Sequence, residues 1–323
     1  MQRGRSGNSA DGDSDSRHAM SDVPEHHSMF LYDNDDDFVD RVTSLLGPGT
    51  EDGEAGLAVL SQEKWALVCE ALGDTAQRIQ YLERESIYTR PLATLAGYDA
   101  ILRRVLDEGA PAVRLIGELP VSEGDEQCDT WTFYEAVMSL AFADRPISIL
   151  CGYDLREQPA AAVEAAWKTH PLVLDDGWDD NPGYVEPAGV AGPLTAHPEA
   201  VAGLFEVPVD ADATAFNARL RKELALLRVP KAQTENLLLA ASAVFHNAQT
   251  HGQGARSQRI GRVAGRIVWE LSDNGSGFRD PLAGYVPPRQ GDADGPGLWM
   301  ARQLTERVEF FASPGGFTTR LWI

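Results

Sequence analysis

The chain contains no run of eighteen apolar residues, the length a membrane-crossing helix requires, so no membrane span is expected in its 323 residues. No apolar stretch follows Arg3 and Arg5, which argues against a secretory signal. Cysteine is scarce. Cys69, Cys128 and Cys151 stand far apart with no Cys-x-x-Cys pair, so neither a disulfide framework nor a structural zinc site is expected, and a reducing cytoplasm fits. Positive charge is scarce before residue 203, where 14 Lys and Arg face 37 Asp and Glu, a balance of −23. From residue 203 onward the counts are 14 and 12, a balance of +2. An acidic front half repels nucleic acid and anionic lipid, which excludes direct binding of either there. The near-neutral back half is able to hold a phosphate ligand, and the step in charge places a domain boundary near residue 200. The first strand–helix turn, Tyr32 to Asp36, is acidic and lacks glycine, so it is not a phosphate-cradling loop.

With 43% hydrophobic residues, the length accommodates two domains, each with its own core. Residues 1–25, rich in Gly, Ser and Asp, read as a disordered tail. Over 26–173 short apolar strands (28–32, 56–60, 78–82, 112–117, 146–151) alternate with amphipathic helices (36–46, 63–72, 92–108, 130–142, 160–170). That alternation predicts an α/β domain with a parallel sheet covered on both faces. Residues 174–202, rich in Pro, Gly and Asp without periodicity, read as a linker. Over 203–323 the pattern is α+β: a strand at 204–209, a helix capped by Asp210, and a helix from Pro230 to Thr250. Strands follow at 258–264 and 266–272, then a Gly/Pro-rich loop at 274–296, a helix from Gly297 to about Arg307 and a closing hairpin. Helices on one face of a mixed sheet are expected. No internal repeat is evident.

Three segments of the back half carry chemistry. In the helix before Thr250, Leu237, Leu238, Ala241, Val244, Phe245 and Ala248 make a core stripe. Ala240, Ala243, Asn247 and His251 make a second one, which is either a polar helix edge or a close approach to a metal-bound phosphate through the Asn247 amide. Ser272-Asp273-Asn274-Gly275-Ser276-Gly277 follows an apolar strand. It reads as a hairpin turn, or as a strand-end carboxylate that accepts from a purine amino group beside glycines that admit the ring. Gly295-Pro296-Gly297-Leu298 opens a helix whose free N–H groups suit an anion.

In this order and spacing the three segments resemble the N, G1 and G2 boxes of the GHKL family, the Bergerat fold of histidine kinases and anti-sigma-factor kinases. The stretch LLLAASAVFHNAQTHG … WELSDNGSGFRDPL … GPGLWMARQLTERVEFF … GGFTTRLWI looks most like the anti-sigma-factor serine kinase branch. The resemblance covers about 120 residues and implies ATP or ADP with Mg²⁺. It implies that Asn247 coordinates the metal, Asp273 contacts adenine and Gly275 and Gly277 line the base pocket. Gly295, Gly297, Leu298 and Thr318 would complete the cradle, with 278–296 as the lid. The general-base glutamate that the family carries one turn before the asparagine is replaced by Ala243, and Phe317 stands in place of a threonine near the last strand. Loss of a base costs about 10²–10⁴ in rate, so binding without efficient phosphoryl transfer is implied. His246 and His251 are assigned structural or solvent roles.

The front domain, through HHSMFLYDNDDDFVDRV, YEAVMSLAF, ILCGYD and WKTHP, resembles the MEDS (methanogen/methylotroph sensory) domain, a RecA-like module that is fused to such kinases. The matching positions are His27, Tyr32, Glu135, Cys151, Tyr153 and His170, and the resemblance implies a small-molecule ligand near them. Cys151 is also read as an ordinary buried thiol, and His170 as a helix C-terminal residue. The combined expectation is a cytoplasmic regulator that senses a cue and controls a sigma factor or its anti-sigma antagonist by partner switching, with a homodimer left open. An active serine/threonine kinase and a nucleotide-independent scaffold are the alternatives.

Overall fold

The computed structural model describes residues 27–120, 125–192, 194, 201–288, 296–313 and 315–323, so the expected tail at 1–25 and Gly295 lie outside the described residues. The first half runs β1 (His27–Tyr32), α1 (Asp35–Glu51), β2 (Ala55–Leu60), α2 (Gln62–Leu72), β3 (Ile79–Glu83), α3 (Arg84–Ile87) and α4 (Pro91–Asp107). It continues with β4 (Val113–Gly117), α5 (Asp125–Ala141), β5 (Ile147–Asp154), α6 (Ala160–Thr169), β6 (Leu172–Leu174), β7 (Trp178–Asp180) and α7 (Pro187–Ala191). These strands form one sheet in the order β3-β2-β4-β5-β1-β6-β7, parallel throughout except for the β6–β7 pair.

Strand alternation sends successive side chains to opposite faces. Met29, Leu57, Val59, Leu115 and Ile149 meet Leu95, Tyr98, Trp131 and Val137 of α4 and α5 on one face. Phe30, Tyr32, Ala58, Leu60 and Ile116 meet Phe38, Val42, Leu45 and Val68 of α1 and α2 on the other. The first helix starts where Asn34 accepts from the Asp37 N–H and three aspartates fill the positive first turn. It does not stop at Gly47 but runs on to Glu51. The small Gly49 makes that possible, since a Cβ there would collide with Arg114.

The stretch expected to be a linker begins as part of this unit. β7 pairs with β6, and α7 packs on α5 and α6. What holds it is side-chain-to-backbone bonding: Asn181 donates to the Trp167 and His170 carbonyls at 2.8 and 2.6 Å and accepts from Gly183 N–H at 2.8 Å. Such anchors have no period to read.

The second half runs β8 (Leu204–Val207), α8 (Ala213–Leu226), α9 (Lys231–Thr250), β9 (Ala255–Val263), β10 (Arg266–Asp273), α10 (Gly297–Leu304), β11 (Arg307–Ser313) and β12 (Gly316–Trp322). Its sheet, β11-β12-β10-β9-β8, is antiparallel at every described pairing rather than mixed. Two of its four pairings, β9–β10 and β11–β12, are hairpins, whose short turns join only antiparallel neighbours. Asp212, not Asp210, caps α8 by accepting from Thr214 and Ala215, whereas Asp210 pairs with Arg219 at 2.6 Å. Phe216, Leu237, Ala241 and Phe245 pack on Ile267, Trp269 and Leu271, and the Phe216 and Phe245 rings stack at 4.3 Å. Among the described residues no helix is long and apolar enough to cross a membrane.

Candidate functional site

A cavity of about 570 Å³ opens between α9, the end of β10 and the segment before α10, within the size range of small-molecule sites. Its floor is built by close backbone approach. Asp273 ends β10 on the helix-facing side and accepts from Gly275 N–H at 2.8 Å. Gly252, just past α9, lies against it: a Cβ there would come within 2.5 Å of the Asp273 carboxyl carbon. Gly277 has φ +62 and faces Phe317, whose ring a Cβ would overlap; glycine alone adopts this conformation without strain. Burial pushes the Asp273 carboxyl above its ordinary range, opposed by the Gly275 N–H and the nearby Arg256.

Asn247 lines the cavity wall from α9. Gly297, the first residue of α10, fits against that helix so closely that a Cβ would sit 3.5 Å from Ala243 Cβ and 3.9 Å from Asn247 Oδ1. Among the described residues no side chain caps α10, so its first N–H groups, at Gly297 to Trp299, face the cavity without a described partner. Among the described residues the carboxylates lining the cavity are Asp273 and Asp280. Glu235 of α9 pairs instead with Arg221 at 2.7 Å on the exposed side.

Of the back-half residues singled out from sequence, Asn247, His251, Asp273, Gly277 and Leu298 line this cavity, while Gly275 buttresses Asp273 from behind. Thr318 does not reach it. Pairing opposite Ser272, its hydroxyl bonds to the Ser272 hydroxyl at 2.8 Å on the outer face of the sheet. Its neighbours Phe317 and Thr319 face the cavity, as a period of two requires. Sequence reasoning passed over Gly252 and Arg302. The Arg302 guanidinium is buried, lies 3.6 Å over the Tyr285 ring, and donates to Ala283 O at 2.9 Å. Burial lowers it to about 10 against the pull of Tyr285. Tyr285 in turn meets Phe133 of α5 edge-on at 4.4 Å, and Leu282 is buried in the core of the first unit. The segment over the cavity thus touches both units.

The front-half residues divide. His27, Glu135, Cys151 and His170 converge beneath the sheet, fully buried, with their ligand-type atoms within 4.8 Å of one another. His27 Nε2 lies 2.9 Å from Glu135 Oε2 and 3.3 Å from Cys151 Sγ, and His170 Nε2 lies 3.3 Å from the same carboxylate oxygen. Burial and His170 lower His27 to about 4, against the pull of Glu135. Burial works to raise Glu135, but the His170 and His27 rings outweigh it and hold it at about 2. Burial first, then Glu135, pushes the Cys151 thiol well up. Tyr153 joins by placing its ring 5.7 Å from His170.

The cluster lies partly within the sheet, for His27 opens β1. Cys151 lies mid-strand opposite Met29. Tyr32 is elsewhere, since five residues along β1 it faces the other side of the sheet. There its hydroxyl donates to Glu118, which Arg84 also holds at 2.7 Å. Close by, Asp154 is bound by Arg156 at 2.5 Å and Lys64 at 3.2 Å. Burial works to raise Asp154, but bonds from Arg156 and Lys64 bring it down to about 2.

No curated protein matches the chain. A crystal structure of the RsbU and RsbW domains of a Mycobacterium tuberculosis protein is similar at 20% identity over 37% of this chain, with a TM-score of 0.28. The chain spans about a third of that structure's length (31%). Residues 26–171, somewhat under half of the chain, match the family described as the MEthanogen/methylotroph, DcmR Sensory domain. Residues 26–171 are a MEDS domain, carried ahead of a second, antiparallel-sheet unit.

Proposed function

We propose that the chain is a signalling regulator in which the MEDS domain, a RecA-like module spanning 26–173, governs a GHKL-type nucleotide-binding domain at 203–323. One observation carries this reading: a single cavity gathers Asn247, the Asp273 carboxylate on its glycine floor, and the N-terminus of α10. The arrangement suits ATP or ADP with Mg²⁺. Asp273 accepts from the adenine amino group, Gly252 and Gly277 admit the ring, the Asn247 amide oxygen ligates the metal, and the α10 N–H groups receive phosphate.

Chemistry is poorly provided for. Ala243 sits against Gly297 where a general base would stand, so the output is binding and release of a protein partner rather than phosphorylation. The motif resemblance points to a sigma factor or its antagonist as that partner. The coupling route is physical. α5 carries Glu135 in the buried cluster and Phe133 against Tyr285, two residues apart. A shift of α5 therefore moves the cover of the nucleotide cavity.

Calorimetric titration of the full chain with Mg·ATP and Mg·ADP tests the reading. One-site binding of both is expected, and partner capture from the source cell should differ with and without nucleotide. Absence of binding to either nucleotide would overturn it.

A further inference from the structure

The sequence argues against a structural zinc site because no two cysteines stand at ligand spacing. The fold supplies donors by another route. His27 opens β1, Cys151 lies in β5, Glu135 projects from α5 and His170 caps the end of α6. Four elements distant in sequence thus aim one atom each at a common point, with all four atoms within 4.8 Å. We propose that His27 Nε2, Glu135 Oε2, Cys151 Sγ and His170 Nε2 bind one divalent transition-metal ion of the zinc type.

Geometry supports it first. With zinc bonds of about 2.0–2.3 Å to nitrogen, oxygen and sulfur, a tetrahedral site has edges of about 3.3–3.7 Å. The observed separations are 2.9 Å (His27–Glu135), 3.3 Å (His27–Cys151), 3.3 Å (His170–Glu135) and 3.7 Å (Cys151–Glu135). Of these four edges the first is short by a few tenths of an ångström, and the remaining two, from His170 Nε2 to His27 Nε2 and Cys151 Sγ, lie within 4.8 Å.

Hydrogen bonding supports it independently. His170 Nδ1 lies 2.9 Å from the Ala166 carbonyl, which only accepts, so that nitrogen carries the proton. Nε2 is then the ring nitrogen turned toward the cluster. Among the described residues it is buried without a hydrogen-bond partner, and it faces a carboxylate oxygen at 3.3 Å. An imidazole nitrogen and a carboxylate oxygen that face each other in a dry interior offer two ligand atoms to one cation. The outer contacts are also those of metal-bound imidazoles: a backbone carbonyl behind His170, and the Ser139 hydroxyl 3.1 Å from Nδ1 of His27.

The donor set decides the class of ion. One thiolate, two imidazoles and one carboxylate suit zinc-type ions and not Mg²⁺ or Ca²⁺, which take shells of oxygen. Four protein ligands close the site, which fits a structural or regulatory ion rather than a catalytic one. A narrow cleft beside Trp131, Tyr153, Ala162 and Thr169 reaches Glu135 and offers an entry path. This inference does not rest on the nucleotide reading.

The test is a Co²⁺ titration of the chelator-stripped full chain. The expected result is one equivalent bound, with a thiolate-to-metal charge-transfer band and the strong visible bands of four-coordinate cobalt, both erased by Zn²⁺. Cys151→Ser should lose the charge-transfer band and Cys69→Ser should keep it. Glu135→Gln, which preserves size, should weaken Co²⁺ at least about tenfold and keeps the test open if Cys151→Ser does not fold. A folded wild-type chain that shows no such band overturns the proposal, as does a band that survives Cys151→Ser.

Discussion

Replacing Asp273 by asparagine separates nucleotide recognition from stability, because the two side chains have the same shape. The amide oxygen of the Asp273→Asn variant can still accept from the Gly275 N–H, a bond made at 2.8 Å by the native carboxylate. The desolvation that raises the Asp273 carboxyl is relieved in a neutral amide. Folding stability should therefore change by less than about 0.5 kcal/mol. Binding should change far more. A hydrogen bond to a charged acceptor contributes about 1.5–3 kcal/mol, and the variant presents either a neutral acceptor or an N–H aimed at the purine amino group. The dissociation constant for Mg·ATP should rise about 10- to 150-fold. Calorimetry with ATP and with inosine triphosphate, which lacks that amino group, supplies the assay. Wild type should discriminate between them and Asp273→Asn should not. Unchanged ATP affinity, or a loss of affinity matched by a loss of folding stability, would refute the reasoning.

Gly252→Ala forces a methyl to 2.5 Å from the Asp273 carboxyl carbon and 2.7 Å from the Ala248 carbonyl; it should cost about 2–3 kcal/mol in urea unfolding and abolish nucleotide binding. Tyr285→Ala removes the ring 3.6 Å from Arg302 and 4.4 Å from Phe133. A loss of about 2 kcal/mol and faster proteolysis between 278 and 296 are expected. Ala243→Glu supplies a carboxylate one turn before Asn247, and should raise ATP turnover about 10²-fold or more without tightening ATP binding. Asp154 is held at about 2, below its ordinary 3.8, so its contribution to stability is present above pH 4 and is lost as pH falls through about 2. Acid unfolding of Asp154→Asn should accordingly be flatter across that window than that of wild type.

Much of this was readable in the chain before it was folded. Alternation of apolar strands with amphipathic helices made a parallel sheet covered on both faces the expected result for the first half, and the strands lie within a few residues of their expected places. The MEDS resemblance rested on residues spread over the same span that the family match covers. The charge step near residue 200 falls between the two sheets. Asn247, Asp273 and Gly277 were legible because local pattern marks them: a second helix stripe, a strand end and a glycine pair.

What escaped has a common cause. Gly252 matters only because β10 returns to lie beside the end of α9, and Arg302 only because the segment before it folds back over its guanidinium. Thr318 and Thr319 are alike as sequence, and register with Ser272 and Leu271 alone decides which of them faces the cavity. The same holds for the six front-half positions. The sequence nominated them together, but strand parity sends His27 and Cys151 to one face of the sheet and Tyr32 to the other. By itself the sequence determined which elements form and which residue types are available, since both follow from local periodicity and composition. Which of those residues share a site was left to tertiary structure, because convergence depends on chain crossings and pleat register that no local pattern encodes.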